Sequence, residues 1–240
     1  MSLQQIQAII WDYDGTLVDT RHKNLTVTRQ IVERIIGKPA DEFPALQALE
    51  QYEAVTKTAA NWREMYARQY AMTPEQVDRA GRLWAELQLA DRTRVPVFDG
   101  IAETLGRLRH FPHGIVSQNA RSNIINALQA HSIDRHFGCI IGFEEVDIRQ
   151  QKPEPEGLLQ CIDRLTDGNS GIVLYIGDHD TDFKCARNAH RRLRQQGSPV
   201  RVISIGADYG FASPPDHWTI TPEHILHAPD DLIRLTRTLP

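Results

Sequence analysis

Short apolar runs alternate with helix-like segments after residue 95, and one further apolar run lies near the amino terminus. Short apolar runs bounded by Gly, Pro or acidic residues are typical of buried strands. We interpret five such runs as strands, at residues 6–11, 114–117, 139–142, 171–176 and 200–205. Because strands that alternate with helices form parallel sheets covered on both faces, the pattern predicts an α/β, Rossmann-like core with helices on both faces.

The segment from residue 21 to residue 91 shows helical spacing and few strand signals. Apolar residues recur at helical spacing from Ile31 to Ile36, and Gly37 follows as a stop signal. Thr73-Pro74 is typical of a helix start, with Thr as the cap and Pro in the first turn. Two further helices are predicted at Ala45–Tyr52 and Ala59–Tyr70.

An inserted segment of about seventy residues is too long to be a simple connection between two elements. We therefore predict an all-helical cap domain at residues 21–95 and a core domain at residues 1–20 and 96–240. Short tethers at both ends of the insertion are what a hinge requires. The alternative is a rigid helical decoration of the core.

Composition and charge limit the possible partners. The chain has 240 residues, of which 41% are hydrophobic and 24% are charged, with a net charge of −4. A nucleic-acid partner is not expected, because such binding needs concentrated Lys and Arg. The sequence shows no signal-peptide pattern and no apolar run of membrane-spanning length, so we expect no membrane partner. The oligomeric state cannot be read from these features.

The three cysteines, Cys139, Cys161 and Cys185, are far apart in the sequence. Their spacing matches no zinc site, and a disulfide framework is not expected from an odd number. Free thiols are typical of proteins in a reducing cytoplasm. We therefore predict a cytoplasmic location.

Two acids, Asp12 and Asp14, follow the first predicted strand directly. Alternate residues of a strand point to the same face, so both carboxylates start on one side before Gly15 breaks the strand. A divalent cation with oxygen ligands, or an acid–base reaction that uses both carboxylates, would explain the pair. A solvated turn is the plainer alternative, since Asp-Gly pairs are common in turns.

Two further positions suggest phosphate binding. Ser117 ends a predicted strand before a helix, where it is either a helix cap or a donor to a phosphate oxygen. Lys152 precedes Pro153 at the entrance of a predicted helix, where its charge opposes the helix dipole. Lys152 is therefore either a solvated side chain or the partner of a carboxylate or phosphate.

The strongest strand signal ends on Gly177-Asp178, and Asp182 follows at the start of a helix. Because the two acids are four residues apart, a loop that continues into a helix can bring both to one face. Asp180 is an additional acid without an assigned role. A site of hard oxygen ligands argues against His179 as a metal ligand.

These four blocks together resemble the haloacid dehalogenase (HAD)-like hydrolase superfamily, in its phosphoglycolate phosphatase-like branch with a helical cap. The first block is Asp-x-Asp-Gly-Thr-Leu-x-Asp, the second is an apolar strand that ends on Ser, the third is Lys-Pro-x-Pro, and the fourth is Gly-Asp followed by a second Asp. The resemblance runs from Asp12 to Asp182 and covers the predicted core.

The resemblance implies a Mg²⁺-dependent phosphatase that acts on a small phosphorylated metabolite, either phosphoglycolate-like or a sugar phosphate. Asp12 would attack the phosphate to form an aspartyl-phosphate, and Asp14 would act as general acid and base. The implied residues are, for catalysis, Asp12, Asp14 and Lys152; for substrate binding, Gly15, Thr16, Ser117, Gln118, Asn119 and Lys152; and for Mg²⁺, Asp12, Asp178, Asp182 and the backbone carbonyl of Asp14.

Two alternatives share the same core, namely a phosphomutase and a non-catalytic, metal-binding regulatory protein. A dehalogenase proper lacks the second Asp of the first block, so Asp14 argues against it. Substrate specificity is expected from the cap, for which Arg21, His22, Lys57 and Arg63 are candidates.

Overall fold

The computed structural model describes residues 5–59, 62–91, 93–166, 168, 170–210 and 218–239. Within these ranges, six parallel strands form one sheet in the order β3-β2-β1-β4-β5-β6. The strands are β1 Ile6–Trp11, β2 His113–Val116, β3 Phe137–Ile141, β4 Gly171–Gly177, β5 Val200–Ala207 and β6 His224–Leu226. The predicted parallel α/β core is confirmed.

The chain divides into two compact units, one formed by Met1–Asp19 with Pro96–Pro240 and the other by Thr20–Val95. The larger unit contains the sheet and five helices among the described residues: α5 Ile101–Arg107, α6 Arg121–Ala130, α7 Glu156–Thr166, α8 Asp180–Gln195 and α9 Asp231–Thr238. The smaller unit contains α1 Arg21–Ile36, α2 Leu49–Thr58, α3 Trp62–Gln69 and α4 Pro74–Ala90. That the smaller unit acts as a cap stays a prediction.

Both faces of the sheet are buried. Along β1, Ala8 and Ile10 lie on one face and Ile9 and Trp11 on the other, and all four are inaccessible to solvent. On the first face, α7 and α8 pack against the strands in one apolar cluster. A parallel sheet needs this double coverage, because its strands are apolar on both sides.

The helical unit has its own apolar core and a buried group of hydroxyls. The Thr28 hydroxyl lies 3.1 Å from that of Tyr52 and accepts a hydrogen bond from that of Tyr66 at 3.4 Å. The hydroxyl of Tyr70 is buried nearby and has no hydrogen-bond partner among the described residues. We call these four residues the hydroxyl cluster. It links three helices, because Thr28 lies on α1, Tyr52 on α2 and Tyr66 on α3.

Local start and stop signals match the helix ends in several places. Gly37 ends α1 in the left-handed conformation, with φ of 75°. Thr73 caps α4, where its side chain accepts from the Gln76 amide while the Gln76 side chain accepts from the Thr73 amide.

The prediction of a helix at Ala45–Tyr52 is wrong in its first half. The structure has two short 3₁₀ turns there, Ala40–Glu42 and Pro44–Leu46, and α2 begins only at Leu49. The backbone of Ala48 is extended, with φ of −147° and ψ of 162°, so it interrupts helical geometry between the second turn and α2. The short edge strand β6 was not predicted, since only Leu226 of its three residues is buried and no period is visible.

Three further predictions concern the cysteines, membrane-spanning helices and the candidate specificity residues. Cys139, Cys161 and Cys185 are free and buried. Among the described residues, none of the helices combines the length and apolar character needed to span a bilayer. Of the specificity candidates, Arg21 pairs with Glu53 and Arg63 pairs with Asp78, His22 is exposed, and the side chain of Lys57 lies outside the described part of the chain.

Candidate active site

Three of the predicted motifs lie at the carboxyl ends of adjacent strands. Asp12 follows β1, Ser117 follows β2 and Asp178 follows β4. Since β1 lies between β2 and β4, these three strand ends meet at one end of the sheet. The pairing continues one residue beyond β1, where the Asp12 amide donates to the Ile176 carbonyl at 2.7 Å.

Asp12, Asp178 and Asp182 form a group of carboxylates that we call the acid cluster. Each contributes an oxygen, and these oxygens all lie within 4.8 Å of one another. Asp182 is held in place by the His179 amide, which donates to Oδ2 at 3.2 Å, and by the Tyr175 hydroxyl, which donates to Oδ1 at 3.1 Å. A set of close carboxylate oxygens fits a hard divalent cation such as Mg²⁺.

Lys152 brings a buried positive charge to the acid cluster. Its ammonium lies 2.5 Å from Oδ1 of Asp12 and 2.7 Å from Oδ1 of Asp182, and its side chain is only 6% exposed. The structure places Lys152 in a turn before α7, whereas the sequence suggested the entrance of the helix itself. The lysine therefore has the carboxylate partners that were one of its two predicted alternatives.

Burial and mutual repulsion shift the ionisation of this group. Burial raises the pKa of Asp12 to about 7, against the opposing charge of Lys152. Burial, together with the charges of Asp12 and Asp182, raises the pKa of Asp178 well above its usual value. Burial alone would lower the pKa of Lys152, but Asp12 and Asp182 raise it well above its usual value. Three acids thus face one base, and a bound cation would relieve the excess negative charge.

Gly15 permits the close approach of Asp178. Its φ is +79°, and an added Cβ would lie 2.3 Å from Oδ2 of Asp178. Both the backbone conformation and the lack of space therefore require glycine. The next residue, Thr16, is fully buried, and its carbonyl accepts a hydrogen bond from the Tyr209 hydroxyl at 2.8 Å. The substrate-binding roles of Gly15 and Thr16 stay predictions.

Asn119 contacts Asp14 directly. Its side-chain nitrogen lies 3.2 Å from both carboxylate oxygens of Asp14. The orientation of the amide is defined, because its oxygen accepts from the Ala120 amide at 2.8 Å and from Asn123 Nδ2 at 3.2 Å. The NH₂ group must therefore point to Asp14, which ties the second motif to the first.

Ser117 and Gln118, the other two residues of the second motif, make different contacts. The Ser117 hydroxyl is buried and accepts from the Asn119 amide at 3.1 Å. Gln118 is exposed, and its amide donates to the Lys152 carbonyl at 3.1 Å. These contacts place Ser117, Gln118, Asn119 and Lys152 in one region, and their roles in substrate binding stay predictions.

Sequence reasoning missed several residues around the site, namely Tyr175, Tyr209 and Trp218, and it assigned no role to Asp180. Tyr175 donates a hydrogen bond to Asp182, and Tyr209 donates one to Thr16. No local sequence pattern predicts either contact. Burial opposes the ionisation of Asp180, but hydrogen bonds from Thr219 and Ile220 keep its pKa below the usual value. His179 caps α8, since its Nδ1 accepts from the Thr181 amide at 3.2 Å. That His179 is not a metal ligand stays a prediction.

Comparison with known proteins gives relatives of matching length. A phosphoglycolate phosphatase from Synechococcus elongatus is 26% identical over 237 residues, 98% of this chain and 99% of that protein. The pyrophosphatase PpaX from Listeria monocytogenes is 22% identical over 242 residues, 97% of each chain. A crystal structure of a proposed phosphoglycolate phosphatase from Lactobacillus plantarum superimposes with a TM-score of 0.76, 20% identity, and coverage of 96% of this chain and 99% of that one.

The family comparison covers the site itself. The model of the haloacid dehalogenase-like hydrolases matches residues 9–193, which include all four motifs from Asp12 to Asp182. With its parallel sheet and its motifs at the carboxyl ends of the strands, the chain belongs to the family of haloacid dehalogenase-like hydrolases.

Proposed function

We propose that this protein is a Mg²⁺-dependent phosphatase that hydrolyses a small phosphate ester through an aspartyl-phosphate on Asp12. The observation that supports this best is the acid cluster with Lys152 beside it, since the lysine lies 2.5 Å from Asp12 and 2.7 Å from Asp182. Phosphoryl transfer depends mainly on positioning and on neutralising charge, and this group of residues is arranged for both.

The residues present fit a magnesium ion. Asp12 and Asp178 offer carboxylate oxygens, and Asp182 supports the group within the acid cluster. We infer from the family resemblance that the backbone carbonyl of Asp14 is a further ligand. When bound, Mg²⁺ supplies positive charge that stabilises the transferring phosphoryl group.

Asp12 is the proposed nucleophile. Lys152 holds Oδ1 of Asp12, so we assign Oδ2 as the oxygen that attacks phosphorus. A bond forms from this oxygen to phosphorus while the ester oxygen leaves. Lys152 keeps its charge throughout, because it is paired with Asp182 as well, and it offsets negative charge on the phosphoryl oxygens.

Asp14 is the proposed general acid and base, with Asn119 holding its carboxylate. Asp14 gives a proton to the leaving oxygen and then accepts one from the water that attacks the aspartyl-phosphate. That attack releases phosphate and regenerates Asp12. The Ser117 hydroxyl accepts from the Asn119 amide, so its own proton can be donated to a phosphate oxygen.

The substrate follows from the relatives only as a class. One relative of full length is a phosphoglycolate phosphatase and another is a pyrophosphatase, so small phosphate compounds of both kinds are candidates, together with sugar phosphates. We infer that the helical unit serves as a cap that selects among them.

The test is phosphate release from phosphoglycolate, sugar phosphates and pyrophosphate, with Mg²⁺ and with EDTA. We expect release from wild type that needs Mg²⁺, and a loss on the order of 10³-fold or more in Asp12→Asn. Asp163→Asn is the matched control, because Asp163 is an exposed acid on α7 and its replacement should leave the rate unchanged.

The outcomes separate the alternatives. Transfer of phosphate between positions of a sugar phosphate without release would favour a phosphomutase. Absence of both release and transfer with every compound would contradict the proposal and favour a regulatory protein on the same fold.

A further inference from the structure

The loop that carries Asp178 is hydrogen-bonded to residues 218–220, about forty positions later in the sequence. The proposed mechanism does not use these residues. The indole N–H of Trp218 donates to the Asp178 carbonyl at 2.9 Å. Two residues beyond Asp178, the Asp180 carboxylate accepts hydrogen bonds from Thr219 and Ile220. The loop is thus held on both sides of His179.

Trp218 is itself fixed by close packing. Its ring lies against Gly206, where an added Cβ would be 2.6 Å from the indole, and it meets the Phe183 ring edge-on at 5.0 Å between centroids. Gly206 ends the pairing of β5 with β4, and Phe183 is buried in the first turn of α8. The donor to Asp178 therefore has a defined position relative to the sheet and to α8.

Within the described part of the chain, the side-chain hydrogen bonds of Asp180 all go to the same segment. Its oxygens accept from the Thr219 amide at 3.0 and 3.1 Å and from the Ile220 amide at 3.1 Å, and the Thr219 hydroxyl makes a further short contact. The carboxylate is not among those that form the acid cluster. Asp180 thus binds the backbone of residues 219 and 220, although it lies between two acids of the cluster in the sequence.

We propose that Trp218, Asp180 and Thr219 are positioning residues that fix the loop of Asp178 for metal binding. We call these three residues the clasp. The inference rests on the proposed Mg²⁺ site. Groups that orient metal ligands contribute to affinity, because the ligands then need no reordering when the ion binds. The clasp fixes the Asp178 backbone, while the glycine at position 15 leaves room for its carboxylate.

The test measures Mg²⁺ binding to the chelator-treated protein by calorimetry and by the rise in unfolding temperature during Mg²⁺ titration. Trp218→Phe removes the donor and keeps a ring against Gly206, and Asp180→Asn weakens the acceptor while keeping the size. We expect the dissociation constant for Mg²⁺ to rise about 10-fold in each variant. At saturating Mg²⁺, kcat should return to within about twofold of wild type, because mass action refills the site.

Glu223→Gln is the matched control, because Glu223 pairs with Arg201 close to the clasp in sequence. Its Mg²⁺ affinity should equal that of wild type. A purely structural clasp would lower the unfolding temperature of the metal-free variants and leave the dissociation constant unchanged, and that result would overturn the inference. Should Trp218→Phe fail to fold, Asp180→Asn and Thr219→Val give the same test.

The result is independent of the phosphatase proposal. Wild-type Mg²⁺ binding that weakens in the clasp variants supports the inference even if no ester is hydrolysed. Normal phosphatase activity with unchanged Mg²⁺ affinity in the variants contradicts the clasp alone. A wild-type protein that does not bind Mg²⁺ contradicts both.

Discussion

The larger unit brings together four charged side chains, of which Asp178 is half-buried and Asp12, Asp182 and Lys152 are buried, whereas the helical unit buries hydroxyl groups that carry no charge. In the acid cluster, three carboxylates face the single ammonium of Lys152. In the hydroxyl cluster, Thr28 is hydrogen-bonded with Tyr52 and Tyr66. Both groups are polar and largely buried, but only the first leaves unbalanced charge.

The difference bears on what each group contributes. Burying charge is costly unless it is paired. Lys152 pairs with Asp12 and Asp182, and no ion pair is seen for Asp178 among the described residues. Hydrogen-bonded hydroxyls cost little to bury and fix the packing of three helices. We infer that the acid cluster is retained for ligand binding at the expense of stability, and that the hydroxyl cluster serves the fold. Four predictions test this contrast.

The largest effect is expected for Lys152→Met. Removing the ammonium leaves buried carboxylates unpaired, so the free energy of unfolding without metal should fall by about 3–5 kcal/mol at neutral pH. The loss should shrink at lower pH as the carboxylates take up protons. Urea unfolding in EDTA measures it, with the exposed Lys184→Met on α8 as control. Equal stability of Lys152→Met and wild type would show that repulsion between the carboxylates of the acid cluster does not destabilise the protein.

The second prediction concerns the buried imidazole of His113 and the pH dependence of the free energy of unfolding. His113 accepts from the Trp11 indole at 3.1 Å and its Nε2 contacts the Leu108 carbonyl, and burial lowers its pKa to about 4. A lowered pKa means that His113 adds stability above pH 6.5, which is lost as the pH falls towards 4. The loss should be about 3 kcal/mol, because one pKa unit corresponds to about 1.4 kcal/mol.

The measurement compares wild type with His113→Phe between pH 7 and pH 4. The variant lacks the titrating group, so the stability difference between the two proteins should narrow as the pH falls. A difference that stays constant over this range would show that His113 titrates normally.

A smaller effect is expected in the hydroxyl cluster. Thr28→Val removes the hydroxyl shared by Tyr52 and Tyr66, and we expect a loss of about 2 kcal/mol from the weakened hydrogen bonding. Its Mg²⁺ affinity should equal that of wild type, because Thr28 is not part of the acid cluster. Altered Mg²⁺ binding in Thr28→Val would remove the proposed separation of roles.

The smallest effect is expected for Tyr70→Phe. The Tyr70 hydroxyl is buried without a partner among the described residues, so its removal should leave stability unchanged or raise it by about 1 kcal/mol. Tyr66→Phe is the matched comparison, since it removes a hydroxyl that does donate a hydrogen bond. Thermal unfolding of the two variants should therefore rank Tyr70→Phe above Tyr66→Phe.

The sequence by itself determined the elements whose signals are local. The strand β1 was predicted at Ile6–Trp11 and found there, because six largely apolar residues end at an acidic turn. Thr73 and Pro74 predicted the start of α4, and Gly37 predicted the end of α1. Local hydrogen bonds and backbone preferences decide such features, so the order of residues is sufficient to predict them.

The motifs indicated which acids to examine, and the tertiary structure decided what they contact. Sequence spacing suggested that Asp178 and Asp182 share a face, but only the sheet order brings Asp12 to them. Lys152 lies 140 residues from Asp12 in the sequence, and its two carboxylate partners follow from the turn before α7. For this reason, the sequence could not decide whether Lys152 is solvated or paired with a carboxylate or phosphate.

Contacts between segments that are distant in the sequence could not be predicted from the sequence at all. Asn119 with Asp14, Tyr209 with Thr16, and the clasp residues with Asp178 and Asp180 are separated by many residues and show no periodic signal. These contacts depend on how strands and helices pack, and packing reflects the sum of many weak interactions across the chain. The sequence thus identified the chemical groups of the site, while the fold alone determined their partners, burial and charge balance.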